Sequence, residues 1–184
     1  LASGIAVNSL GHSHPRLVEV LANQGSKLWH TSNLYTVPNQ EKLAKLLATN
    51  TFAEKVFFTN SGAESVECAI KIARRFFFSI GQSERNRIIS LEGSFHGRTM
   101  GTISATGSRK LLEGFGPKLP GFDTVKKLSL ERVEEKISRR TCAILVEPIL
   151  GEGGIVTLSC SFLKGLKNLC KKYNLLLIFD EVQS

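Results

Sequence analysis

Five apolar residues at 175–179, LLLIF, run without a break into Asp180 and Glu181. A strand with one wet face alternates apolar and polar side chains, so an unbroken run reads as a strand buried on both faces. A second run, CAILVE at 142–147, also ends in a carboxylate and is halted by Pro148. KVFFT at 55–59 and RIISL at 87–91 read as two further strands. Helical segments fall between them. Strands alternating with helices predict an α/β fold with a mostly parallel sheet and flanking helices.

The clearest helix is predicted over 63–78, with Val66, Ile70, Ala73 and Phe77 at core spacing. Glu67 stands four residues before Lys71 as a surface pair. Pro15 is placed to open a helix running to about Trp29, with Leu17, Val20, Leu21, Gln24 and Leu28 on one side. Shorter helices are predicted over 41–47, 130–138 and 162–173. The segment after Leu91 is a Gly-rich loop followed by a mixed stretch.

The 184 residues suffice for one domain with a sizeable core. No apolar stretch approaches the roughly 18 residues that span a membrane. The opening LASGIAVNSLGHSHP lacks a basic region followed by an apolar one, so no signal peptide is expected, and without an initiator Met an upstream segment is expected. The net charge of +8 suits a soluble basic protein, an unbalanced fragment, or a field that attracts anionic substrates. Its Lys and Arg occur as scattered pairs, not as a block interleaved with aromatics, which argues against nucleic acid. Cys68, Cys142, Cys160 and Cys170 form no CxxC pair, and a reduced, cytoplasmic compartment is expected.

In a parallel sheet, ligands bind beyond the carboxyl ends of the strands. KVFFT leads into Asn60-Ser61-Gly62-Ala63-Glu64. A small, Gly-containing turn entering a helix presents free N–H groups that can cradle a phosphate, although plain capping by Asn60 or Ser61 explains it too. RIISL leads into Glu92-Gly93-Ser94-Phe95-His96-Gly97-Arg98-Thr99, where a ring can lie against a planar ligand and Arg98 can clamp a carboxylate. A surface loop with a packed Phe is the plainer reading. Glu147 and Glu152 flank a turn with three glycines, at 151, 153 and 154. Asp180 could pair with a protonated ring nitrogen. Together these suit a phosphorylated pyridine better than a dinucleotide, since no G-x-G-x-x-G motif opens a helix.

The stretches GIAVNSLGHSHP, LWHTSNLY, VFFTNSGAESVECAIKIAR, SFHGRTMGTISATG, VEPILGEGG and LLLIFDEVQS are spread along nearly the whole chain, from Gly4 to Ser184. In that order they closely resemble the class III pyridoxal-phosphate aminotransferases of fold type I, in the acetylornithine/ornithine branch. The resemblance implies pyridoxal 5′-phosphate held at its phosphate by Ser61, Gly62 and Ala63. It implies Phe95 stacked on the pyridine ring with His96 beside it. Val182 packs on the ring face, Gln183 reaches the phenolic oxygen and Asp180 pairs with the ring nitrogen. It puts Arg98 on the substrate α-carboxylate, Glu147 near cofactor and substrate as a catalytic group, and Glu152 at the switch between the two substrates.

The activity implied is transfer of the side-chain amino group of N-acetylornithine to 2-oxoglutarate by a ping-pong mechanism, in arginine biosynthesis, by a cytoplasmic homodimer with neither nucleic-acid nor membrane partners. Residues 1–184 then form part of the cofactor-binding large domain. Residues up to about 40 lie on an interface or substrate side, and the rest of that domain and a small domain lie beyond the chain. No position matches the family's Schiff-base lysine, so the stretch alone is expected to be inactive. Two positions depart from the family: Leu150 replaces the usual Gln, and Ser65-Val66 the usual Ala-Asn. His12 and His14, which could be taken for a metal pair, belong by this resemblance to a turn before a helix. Competing activities are those on ornithine, succinylornithine, succinyl-diaminopimelate or 4-aminobutyrate, or a non-catalytic scaffold without the lysine.

Overall fold

The computed structural model describes residues 3–32, 34–108 and 110–184. The chain divides into two compact units, 1–58 and 59–184.

The first unit carries a short turn α1 (Ser3–Ala6), α2 (Pro15–Gly25) and α3 (Pro38–Asn50). Proline opens both longer helices, where its missing N–H costs nothing. His14 takes the N-cap position of α2, and His12 lies in the turn before it. The structure ends α2 at Gly25, short of the expected Trp29, because Lys27 and Leu28 both donate to Gln24 O and close the helix. Trp29 is exposed, and its indole N–H donates back to Gly25 O at 2.6 Å. The stripe at Leu17, Val20 and Leu21 is exposed rather than covered. Helix α3 exceeds the expected 41–47 at both ends.

Residues 55–59 correct a further expectation. KVFFT joins no ladder among the described residues, and Phe57 is 75% exposed. β-Propensity makes a segment able to pair, but a strand exists only where a neighbour completes its hydrogen bonds.

The second unit begins at the capped helix α4 (Gly62–Ser79). It continues through β1 (Arg87–Leu91), α5 (Met100–Ala105), β2 (Phe122–Val125), α6 (Leu130–Lys136), β3 (Thr141–Val146), β4 (Ile149–Leu150), β5 (Val156–Thr157), α7 (Cys160–Tyr173) and β6 (Leu176–Phe179). Four strands form a parallel sheet in the order β2-β1-β3-β6. β4 and β5 pair as a separate antiparallel hairpin.

Alternate residues along each central strand serve opposite cores. Ile89, Leu91, Ile144 and Val146 join a cluster with Val133 of α6 and Leu166 of α7. Ile88, Ala143 and Leu145 join Val66, Ile70, Ala73 and Phe77 of α4. The central strands β1 and β3 are therefore dry on both faces. β6, expected to be buried on both faces, is instead half-buried, with Phe179 38% exposed, because it stands at the end of the strand order with one neighbour. Cys142 and Cys170 sit in these cores, where burial pushes each thiol up to about 11. Of the positions that depart from the family pattern, Val66 and Leu150 are buried and Ser65 is exposed.

Asn174 caps α7 in the left-handed conformation at φ 51°, and Leu175 N–H donates to Cys170 O at 2.8 Å. That tight reversal sends the chain straight into β6. No helix among the described residues is long and apolar enough to cross a membrane.

Candidate functional site

The carboxyl ends of β1, β3 and β6 bring three loops together beside the N-terminus of α4. Ser61 caps α4, accepting the Glu64 N–H at 3.2 Å. Glu64 in turn accepts the backbone N–H of Asn60 at 2.7 Å. The amides of Gly62 and Ala63 lie in the first helical turn, where no carbonyl of the helix can accept them. The plain capping role of Ser61 is thus real, and it leaves those two amides in place for an anion.

Two close approaches pack this turn against the other loops. A methyl group at Gly62 would lie 3.0 Å from a Val182 methyl, and one at Gly97 would lie 2.8 Å from Ala63 Cβ. Gly97 takes φ 121°, a conformation that favours glycine. The turn at 61–63, the loop at 95–98 and Val182 are therefore neighbours.

The centre of the arrangement is a buried pair. His96 Nδ1 and Asp180 Oδ2 are 2.8 Å apart, with His96 2% exposed. A carboxylate only accepts, so the pair places the proton on Nδ1. His96 Nε2 is buried with no hydrogen-bond partner among the described residues. The other oxygen of Asp180 accepts Val182 N–H at 3.3 Å. Asp180 itself is held at the end of β6 by its own N–H, which donates to Val146 O of β3.

Glu147 follows β3 and is 4% exposed. Its Oε2 accepts the Phe95 N–H at 2.8 Å. Burial pushes its carboxyl above the usual range and neighbouring Asp180 adds to this; the amides of Phe95 and Gly151, and His96, oppose it. Arg98 is exposed and lies over the Phe95 ring, 5.5 Å from its centroid. Glu152 is exposed on the β4–β5 turn, and Gln183 is exposed in the turn after β6. Thr99, absent from the predicted site, caps α5 and donates to Glu67 Oε1 at 2.5 Å, tying the Arg98 loop to α4.

The predicted phosphate turn follows an extended segment rather than a sheet strand. The remaining loops do follow β1, β3 and β6. Nothing local signalled the His96–Asp180 pair, whose members are 84 residues apart. The same holds for the Glu147–Phe95 bond. Among the described residues, no group of three or more His, Cys, Asp or Glu is placed to hold a metal ion.

The family model for aminotransferase class-III matches residues 1–184. The chain belongs to that family. An acetylornithine aminotransferase of Agrobacterium fabrum is 58% identical over 183 residues, covering 100% of this chain and 46% of the relative. One from Rhodobacter capsulatus is 50% identical over 183 residues, covering 100% of this chain and 47% of the relative. The chain thus spans about half the length of the curated relatives it matches. The crystal structure of ornithine aminotransferase from Toxoplasma gondii ME49 superposes with a TM-score of 0.92 at 30% identity, covering 100% of this chain and 44% of that one. N-Acetylornithine aminotransferase from Stenotrophomonas maltophilia K279a does so with a TM-score of 0.80 at 35% identity, covering 97% and 44%. Another structure of the Toxoplasma enzyme has PLP at partial occupancy in its active site. The α/β architecture of this class III aminotransferase chain is that of fold type I, as the sequence led one to expect.

Proposed function

We propose that this chain is part of an aminotransferase that moves the side-chain amino group of N-acetylornithine to 2-oxoglutarate, giving N-acetylglutamate semialdehyde and glutamate. The observation that carries this reading is 58% identity along the whole chain to an acetylornithine aminotransferase. The reaction belongs to arginine biosynthesis. The enzyme would be a cytoplasmic homodimer acting on small molecules, with residues 1–184 forming part of its large domain.

The residues fit pyridoxal 5′-phosphate. Asp180 is buried, one of its oxygens is fixed by His96, and the other meets only a long 3.3 Å contact from Val182 N–H among the hydrogen bonds described. A protonated ring nitrogen is the donor that this oxygen lacks. When bound, the cofactor supplies an electron sink for a carbanion on the substrate.

The chain's own groups do the rest. The Ser61 hydroxyl and the Gly62 and Ala63 amides hold the phosphate. Phe95 and Val182 pack against the ring, and Gln183 reaches its phenolic oxygen. Asp180 keeps the proton on the ring nitrogen, and His96 fixes the carboxylate. Arg98 binds a substrate carboxylate in bidentate fashion, and Glu152 serves the exchange between the two substrates. A lysine from outside these residues completes the reading.

The test is glutamate formation by the full-length gene product with 2-oxoglutarate and a panel of donors. N-Acetylornithine is expected to give the highest kcat/KM. A higher value for ornithine, succinylornithine, succinyl-diaminopimelate or 4-aminobutyrate overturns the assignment of the donor.

A further inference from the structure

Two loops of the candidate site meet beside Glu147. The loop after β1 carries Phe95 and Arg98; the β4–β5 turn carries Glu152. Glu147 lies behind both. Its backbone is anchored, because the preceding residue, Val146, is paired in the sheet and accepts the Asp180 N–H at 2.9 Å. Pro148 follows it directly, restricting its conformation further. From that fixed point its Oε2 takes the Phe95 N–H at 2.8 Å, while the Gly151 amide is near enough to favour its charged form.

The same two loops also meet directly. A methyl group at Gly153 would lie 2.7 Å from Gly93 O, so the two backbones pass with no room for a side chain. Contact at Gly93–Gly153 ties the two loops directly, and the Glu147–Phe95 bond ties the first of them to the segment that leads into β4.

We propose that Glu147 is a positioning residue: it locks the Phe95–Arg98 loop to the β4–β5 turn, and so sets the spacing between Arg98 and Glu152. The bond described on its side chain runs from the Phe95 N–H to Oε2, to loop backbone rather than to a reacting group. The loop contact stands on the geometry alone; its consequence for substrate spacing rests on the function proposed above.

Two substitutions separate positioning from proton transfer. Glu147→Gln retains a carbonyl oxygen that can accept the Phe95 N–H and abolishes the acid–base group. Glu147→Ala abolishes both. In the full-length protein, hydrogen exchange of the 92–98 and 151–155 segments is measured without substrate, together with steady-state kinetics. The expected result is that Gln preserves exchange protection in both loops and holds KM for both substrates within about threefold. Ala is expected to lose protection in both loops together and to raise both KM values about tenfold or more. Should Ala not fold, Glu147→Asp, which is one methylene short of the amide, takes its place in the exchange measurement. The proposal is overturned if Gln loses as much activity as Ala, or if Ala or Asp leaves exchange of either loop unchanged. Because exchange needs no turnover, absent transamination combined with paired loss of protection would count against the proposed function and not against the lock.

Discussion

Asp180→Ala removes the acceptor of both the His96 Nδ1 proton and the Val182 N–H. Asp180 Oδ2 pairs with His96 Nδ1 at 2.8 Å, and His96 Nε2 already has no hydrogen-bond partner among the described residues. His96 is 2% exposed, so water cannot replace the carboxylate without the site opening. Truncation leaves both ring nitrogens buried and unpaired. A buried polar group that loses its partner costs about 1–3 kcal/mol, and that is the expected loss of unfolding free energy in the full-length protein. Asp180→Asn keeps a carbonyl oxygen for the Nδ1 proton and should lose less.

Activity should divide the same two variants differently. Neither Ala nor Asn carries the negative charge that keeps a ring nitrogen protonated in a dry site, where desolvation favours its neutral form. Losing that pairing is worth several kcal/mol, or on the order of a thousandfold in the first half-reaction. The phosphate turn at Ser61–Ala63 and the Phe95 ring are separate anchors, so much of the cofactor should remain bound. Urea unfolding gives the first quantity. Stopped-flow measurement of the half-reaction, with cofactor content determined separately, gives the second. If Asp180→Ala turns over within about tenfold of the unsubstituted protein, the role assigned to this carboxylate is wrong. If Asn destabilises as much as Ala, the account of His96 is wrong.

Three further outcomes concern the scaffold. Burial holds the Glu147 carboxyl above its ordinary 4.5, so the folded state binds that proton more tightly than the unfolded state does, and this contribution to stability falls as pH rises from about 4.5 through the folded value. Glu147→Gln has no such loss, so its thermal stability relative to the parent should improve as pH rises above about 4.5; a difference that is flat with pH refutes this. Gly165→Ala would bring Cβ to 2.2 Å from a Leu130 methyl, and overpacking of α6 on α7 should cost about 1–3 kcal/mol in chemical denaturation. Asn174→Val forces a β-branched residue to φ 51° and should cost about 1–2 kcal/mol, whereas Asn174→Gly should be tolerated; equal midpoints for the two would refute the strain argument.

What could be read beforehand follows the range of the forces involved. Helix α4 was legible down to its buried residues, because Val66, Ile70, Ala73 and Phe77 are spaced by the helix itself. The run at β3 was legible because burial on both faces leaves its mark on every residue, whereas β6 carries the same mark yet is only half-buried at the end of the sheet order. KVFFT carries the same mark at 55–59 yet joins no ladder among the described residues, since pairing is a property of two segments and composition reports only one. The stripe of α2 shows the same limit: periodicity marks the face that could be covered, not what covers it. β2 escaped notice because FDTV is short and its middle residues are only partly buried. At the site, residue types pointed to Asp180, Phe95 and Arg98 one loop at a time. Only the sheet order, with β1 beside β3 and β3 beside β6, sets the loop after β1 close enough to β6 for His96 to reach Asp180. The role of Asp180 depends on that meeting: only the buried imidazole from the β1 loop fixes one of its oxygens and leaves the other facing Val182 N–H.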